Sequence, residues 1–282
     1  MKEMETLLDG FVFLEGPRWH EGRLYFSDMW GHAVYSASEN GDVKKIADVP
    51  GRPSGLNFLP DGRLIVVSME DRKLFEISSQ GTLIEYADLS GHINSDINDS
   101  VADKSGNIFV GSFGYDLFAN EEPKLASMAI VDKNGTVGIA ADGLNFPNGS
   151  VINPSGDTLI CAETFGHSLT AFDLDSNGQL KDRRVWADLG DHTPDGICLD
   201  AEGAIWVASF VTGVFLRVKE GGEIVEEISV NGKRAVACNL GGEDGCTLFG
   251  ITFEGEIEDI GGGEKKARVE VCRVEVPTAF SP

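Results

Sequence analysis

Residues 200–209 read Asp200-Ala201-Glu202-Gly203-Ala204-Ile205-Trp206-Val207-Ala208-Ser209: a turn closed by glycine, an alternating apolar run, then a small residue. The same pattern recurs at Trp19–Gly22–Ser27, Leu59–Gly62–Ser68, Asp103–Gly106–Ser112 and Asn153–Gly156–Cys161, and more loosely at Glu243–Gly245–Gly250. The six glycines lie 40, 44, 50, 47 and 42 residues apart. Strand repeats at about 40–50 residues, without helical periodicity, predict four-stranded propeller blades. Between them lie further strand-like runs, at Leu74–Ser78 and Leu169–Leu174, and hairpin turns at Asp132–Gly135 and Asp175–Gly178. The run Ala267–Val276 alternates strictly and reads as a strand with one polar face. Ring closure is expected from pairing of Thr6–Phe13 with the last blade. The expectation is therefore an all-β, six-bladed β-propeller with four-stranded antiparallel blades around a central metal-binding channel, as one domain over residues 1–282.

Composition agrees with many short strands, since 35 of the 282 residues are glycine and 41% are hydrophobic. The 46 acidic residues against 23 basic ones give a net charge of −23, which argues against nucleic-acid or anionic-membrane partners. No apolar run reaches the length of a membrane span, and Met1–Glu5 lacks a signal core, so a cytoplasmic protein is expected. A small molecule is the expected partner, with the protein a monomer or weak homo-oligomer. The five cysteines are an odd, scattered set and read as reduced thiols in strands. The five histidines (His20, His32, His92, His167, His192) lack zinc-motif spacing, and no G-x-S-x-G elbow or phosphate-binding glycine loop occurs.

In a propeller the first strand of each blade lines the channel. Counting back seven or eight residues from each turn glycine gives Glu15, Ser54, Asn98, Asn148, Asp195 and Cys238. Any one Asx-Gly or Glu-Gly pair alone reads as a turn. The matched register across four blades instead brings Glu15, Asn98, Asn148 and Asp195 to one axis. Two carboxylates held together in a narrow channel repel and desolvate unless a cation joins them. Two carboxylates with two carboxamide oxygens form a hard-ligand set, so one divalent cation is expected: Ca²⁺ first, with Mg²⁺, Mn²⁺ or Zn²⁺ as alternatives. Three or four protein ligands leave coordination positions open, which suits catalysis.

The segments Leu14–Trp19, Arg52–Leu56, Ile97–Asp99, Phe146–Gly149, Thr193–Gly196 and Gly241–Asp244, in that order, resemble the gluconolactonase, senescence marker protein and luciferin-regenerating-enzyme family. The resemblance implies Glu15, Asn148 and Asp195 as direct metal ligands, with Asn98 touching the metal or the adjacent substrate oxygen. It also implies hydrolysis of a lactone or, in some relatives, of a phosphotriester or fluorophosphate. Sugar-acid lactonases of the family often carry an arginine two residues before the equivalent of Asn98, where this chain has Asp96. That departure points away from a simple gluconolactone.

The expected chemistry is attack of metal-activated water on a metal-polarised carbonyl, with Asp195 accepting the proton and Asp99 as second choice. The second strand of each blade runs back to the same face. Its ends place Trp30, Phe113, Phe165 and Phe210 at the rim as candidate substrate contacts, with Glu70 and Glu163 nearby. Such a rim suits a lactone with an apolar or aromatic portion. The alternatives are a phosphotriesterase or fluorophosphatase on the same metal, and a non-catalytic small-ligand-binding propeller.

Overall fold

The computed structural model describes residues 2–119 and 121–280. Twenty-four strands form six four-stranded antiparallel sheets. Five blades are contiguous, over residues 14–48, 53–88, 97–144, 147–188 and 194–229. The sixth takes three strands from residues 234–273 and a fourth, Glu5–Phe11, from the other end of the chain. This strand covers what would otherwise be an open sheet edge on Ala267–Arg273. Ala267–Arg273 ends short of Val276, and its alternating face is not simply polar to solvent. Glu270 is buried there, accepting a hydrogen bond from Thr252 Oγ1 at 2.9 Å and pairing with Lys233.

The innermost strands Leu14–His20, Pro53–Phe58, Ile97–Ala102, Pro147–Ile152, Pro194–Leu199 and Arg234–Gly241 touch one another in a closed circle. Each of the first five carries a register shift against its second strand, at Glu15/Arg18, Pro53/Leu56, Ile97/Ser100, Pro147/Ser150 and Pro194/Ile197. A bulge leaves residues outside the ladder and re-aims their side chains. Here it turns one side chain per blade toward the axis and packs the next residue against the neighbouring blade. That next residue is glycine at 196 because a Cβ there would lie 2.4 Å from the Ala237 Cβ. At Gly149 a Cβ would lie 2.6 Å from the Asp195 carbonyl oxygen. The X-Gly pairs are thus inter-blade contacts, not turns.

Blade six departs from the count. Its shift falls earlier, between Ala235 and Ala237, because its first strand is longer, Arg234–Gly241. Cys238 consequently sits deeper than the spacing suggests, its Sγ 3.7 Å from that of Cys198. All five cysteines are free, and four are buried.

Candidate functional site

Glu15, Asn98, Asn148 and Asp195 line one cavity of about 90 Å³ at one mouth of the channel. All four are buried, between 3% and 7% exposed. Each stands at the bulge of its innermost strand, so one repeated irregularity gathers four oxygen-bearing side chains from four blades.

Asn148 donates through Nδ2 to Asp195 Oδ1 at 2.5 Å and to Thr164 Oγ1 at 3.2 Å. The Thr164 hydroxyl donates onward to the Pro194 carbonyl at 2.7 Å, which fixes the carboxamide's orientation. With its amide nitrogen so committed, Asn148 presents Oδ1 to the channel, buried and without a hydrogen-bond partner. An orphaned buried carbonyl costs about 1–3 kcal/mol unless something binds it. Asn98 Oδ1 faces only a long contact from Ser54 Oγ, at 3.4 Å.

Electrostatics sharpen the same point. Burial pushes the Glu15 carboxyl well above its ordinary range, and the charges of Asp195 and Asp99 push it further. Asp195 is raised by burial and then by Asp99, with the Asn148 amide pulling the other way. Arg18, which eases Glu15, is itself bonded to Asp99, Nη2 to Oδ1 at 2.8 Å. Asp99 also accepts from the Ser100 amide at 2.8 Å and lies outside the cavity lining, so its Oδ1 is already occupied. Among the described residues no three His, Cys, Asp or Glu side chains form a metal-holding group. The donor set for a cation is therefore two carboxylates supplemented by carboxamide oxygens. The orphaned Asn148 oxygen beside two under-compensated carboxylates fits a hard divalent cation.

The walls are apolar. Phe113, Phe165 and Phe210 line the cavity, as do Val211 next to Phe210 and Met29 from another second-strand end. Trp30 does not. Its ring packs at 5.4 Å and 88° on Phe118, lies under the Arg52 guanidinium at 4.6 Å, and abuts Gly261. Asp96 is paired with Arg52 at 3.0 Å, and Arg52 also holds Glu70 at 2.7 Å. Glu163 is tied to Thr170, Arg183 and the Asn145 amide. Neither Glu70 nor Glu163 lines this cavity.

The spacing argument did not find Phe13, Leu117, Phe118, Phe146, Ile257 and Ile260, which also line the cavity. Phe13 had a signal, alternating with Glu15. Leu117 and Phe118 belong to the segment between Ile108–Ser112 and Ala126–Val131; Ile257 and Ile260 belong to the one between Thr247–Phe253 and Ala267–Arg273. Only these two blades have long second-to-third-strand connections among the described residues, and both fold over this mouth.

The profile of the SMP-30/Gluconolactonase/LRE-like region matches residues 13–253, which includes all four channel residues. The chain belongs to this family. It is similar to 6-deoxy-6-sulfogluconolactonase of Pseudomonas putida, 26% identical over 96% of this chain and 94% of that protein. It is similar to regucalcin of Danio rerio, 24% identical over 83% of this chain and 81% of that one. Among solved structures, a calcium-binding protein, regucalcin, of Agrobacterium tumefaciens superposes with a TM-score of 0.83 at 22% identity, covering 100% of this chain and 97% of that one. This last likeness concerns the fold. No helix of the described residues is long and apolar enough to cross a membrane.

Proposed function

We propose that this family member is a divalent-cation-dependent lactonase acting on a lactone with an apolar or aromatic portion. The observation that carries the reading is the unpartnered Asn148 Oδ1 beside two buried carboxylates, Glu15 and Asp195, under apolar walls. Relatives named as lactonases, including the sulfogluconolactonase above and pentonolactonase XacC of Haloferax volcanii, support the reaction class. Relatives named regucalcin support Ca²⁺ as the first cation to try.

Glu15, Asn148, Asp195 and Asn98 are the residues that would hold the cation, which would supply Lewis acidity toward a carbonyl oxygen and lower the pKa of water. Asp195 keeps its Oδ2 uncommitted while Oδ1 is held by Asn148, so it can accept the proton of the attacking water. Asn98, which lines the same cavity from the blade next to that of Asn148, would contact the substrate oxygen. Phe113, Phe146, Phe165 and Phe210 exclude bulk water and receive the apolar portion. At about 90 Å³ the cavity receives a small apolar group, and Leu117 and Phe118 line it beside the four phenylalanines.

The test is hydrolysis of a panel of sugar, short aliphatic, long-chain and aromatic lactones by chelated protein before and after adding back Ca²⁺, Mg²⁺, Mn²⁺ or Zn²⁺. Cation-restored turnover, strongest on apolar lactones, is expected. Preference for sugar lactones would overturn the substrate reading. Turnover of a phosphotriester but of no lactone would move the chemistry to phosphorus, and cation binding without any turnover would make this a ligand-binding propeller.

A further inference from the structure

The opposite mouth of the channel opens into a separate and larger cavity, about 260 Å³, formed by the far ends of the same innermost strands. Its lining carries two cationic side chains against one carboxylate, unlike the acidic chain as a whole. Arg18, His20 and Lys104 line it, with Asp103 the one carboxylate, in a protein of net charge −23. The Asp103 carboxylate is folded into its own turn, accepting from the Ser105 amide at 2.8 Å, the Asn107 amide at 2.9 Å and Asn107 Nδ2 at 2.7 Å. Arg18 spends three of its five N–H groups, on the Pro17 carbonyl, Asp99 Oδ1 and the Ser100 carbonyl, each at 2.8 Å. Two donors of a guanidinium already fixed by these bonds remain for a ligand. His20 is stacked flat on Phe58, ring centroids 3.7 Å apart at 15°, so its edge rather than its face is open. Lys104 sits at the rim, its ammonium anchored on the Pro154 carbonyl.

We propose that this mouth is a second binding site, for a small organic monocarboxylate with an apolar or aromatic body. The carboxylate meets one free donor of Arg18 under the field of Lys104, and the body lies against Phe58 and the aliphatic ends of the strands. A monoanion is favoured over a dianion because Asp99 stands directly behind the guanidinium. An apolar body is favoured over a bare inorganic ion because the wall also offers Phe58, Ile152 and Leu199, beside polar Asn57, Ser150, Asn153 and Asn239. This site is independent of the lactonase reading and needs no cation.

The test is calorimetric and ligand-observed NMR titration of the full chain, held in chelator, with benzoate, hexanoate, benzamide and inorganic phosphate. Benzoate and hexanoate are expected to bind one to one, at least tenfold more tightly than benzamide or phosphate. Lys104→Glu and Arg18→Met are each expected to weaken benzoate at least tenfold, while Phe118→Ala, at the other mouth, leaves it unchanged. Lys104 is exposed, so its variant serves if Arg18→Met fails to fold. Equal binding of benzamide or phosphate, a requirement for added cation, loss of binding in Phe118→Ala, or no binding of either carboxylate would each overturn the proposal.

Discussion

Asp195→Asn tests the proposed cation site most directly, because it removes one charge while keeping the size of the side chain and an oxygen for Asn148 Nδ2. In the chelated wild type, Glu15 and Asp195 are both raised, mainly by burial and then by neighbouring carboxylates. A carboxyl raised on folding binds more protons in the folded than in the unfolded state, so stability falls as pH rises from about 4, the unfolded value, through the raised folded value. Asp195→Asn deletes part of that penalty and exchanges a charge-assisted hydrogen bond for a neutral one, a loss of about 1 kcal/mol. Chelated Asp195→Asn should therefore melt near or above chelated wild type at pH 8, with a flatter dependence on pH. Cation at a hundred times its dissociation constant should stabilise the wild type by about 2.7 kcal/mol. For a chain of this length that is a rise in Tm of about 5 °C, and the variant should show almost none of it. Scanning calorimetry of both proteins, in chelator and in Ca²⁺, reads all four values. A variant that keeps the full Ca²⁺ rise, or that in chelator melts far below the wild type, would refute the reasoning.

Phe118→Ala should widen the mouth and raise kcat/KM for a bulky lactone relative to a small one by about tenfold, measured with matched substrates. Gly196→Ala forces a methyl group to within 2.4 Å of Ala237 and should cost at least about 1–3 kcal/mol, seen as a lower urea midpoint at unchanged slope. Arg217→Met strands the fully buried Asp200 carboxylate, now paired at 2.6 Å. It should cost about 3–5 kcal/mol in the same denaturation assay.

The blade count and the four oxygen-bearing positions were legible because both are properties of repetition. A turn glycine and a bulge recur at fixed offsets, and Glu15, Asn98, Asn148 and Asp195 keep that offset in their own blades. Cys238 did not follow, because blade six places its bulge earlier in a longer strand. The apolar walls were legible only where they belong to the repeat, as at Phe113, Phe165 and Phe210. Trp30 occupies a repeat position, yet Arg52, Phe118 and Gly261 hold its ring behind the wall, which only tertiary packing decides. Leu117, Phe118, Ile257 and Ile260 come from connections unique to two blades, whose course no periodicity encodes. Asp96 stood out as a departure, but its partner Arg52 is 44 residues away and on another blade.

The closing strand Glu5–Phe11 also sets an order in time. Blades one to five are each contiguous in the chain and can pair as soon as their strands exist, whereas blade six needs the segment Glu5–Phe11 to meet Ala267–Arg273, made more than 250 residues later. Glu15 follows that segment within a few residues and faces Asp195 only once the circle of innermost strands is complete. Completion of the ring and assembly of the proposed cation site are then one event. A cation that draws Glu15 and Asp195 together would act as a latch, slowing the reopening of the seam more than the fraying of any single blade.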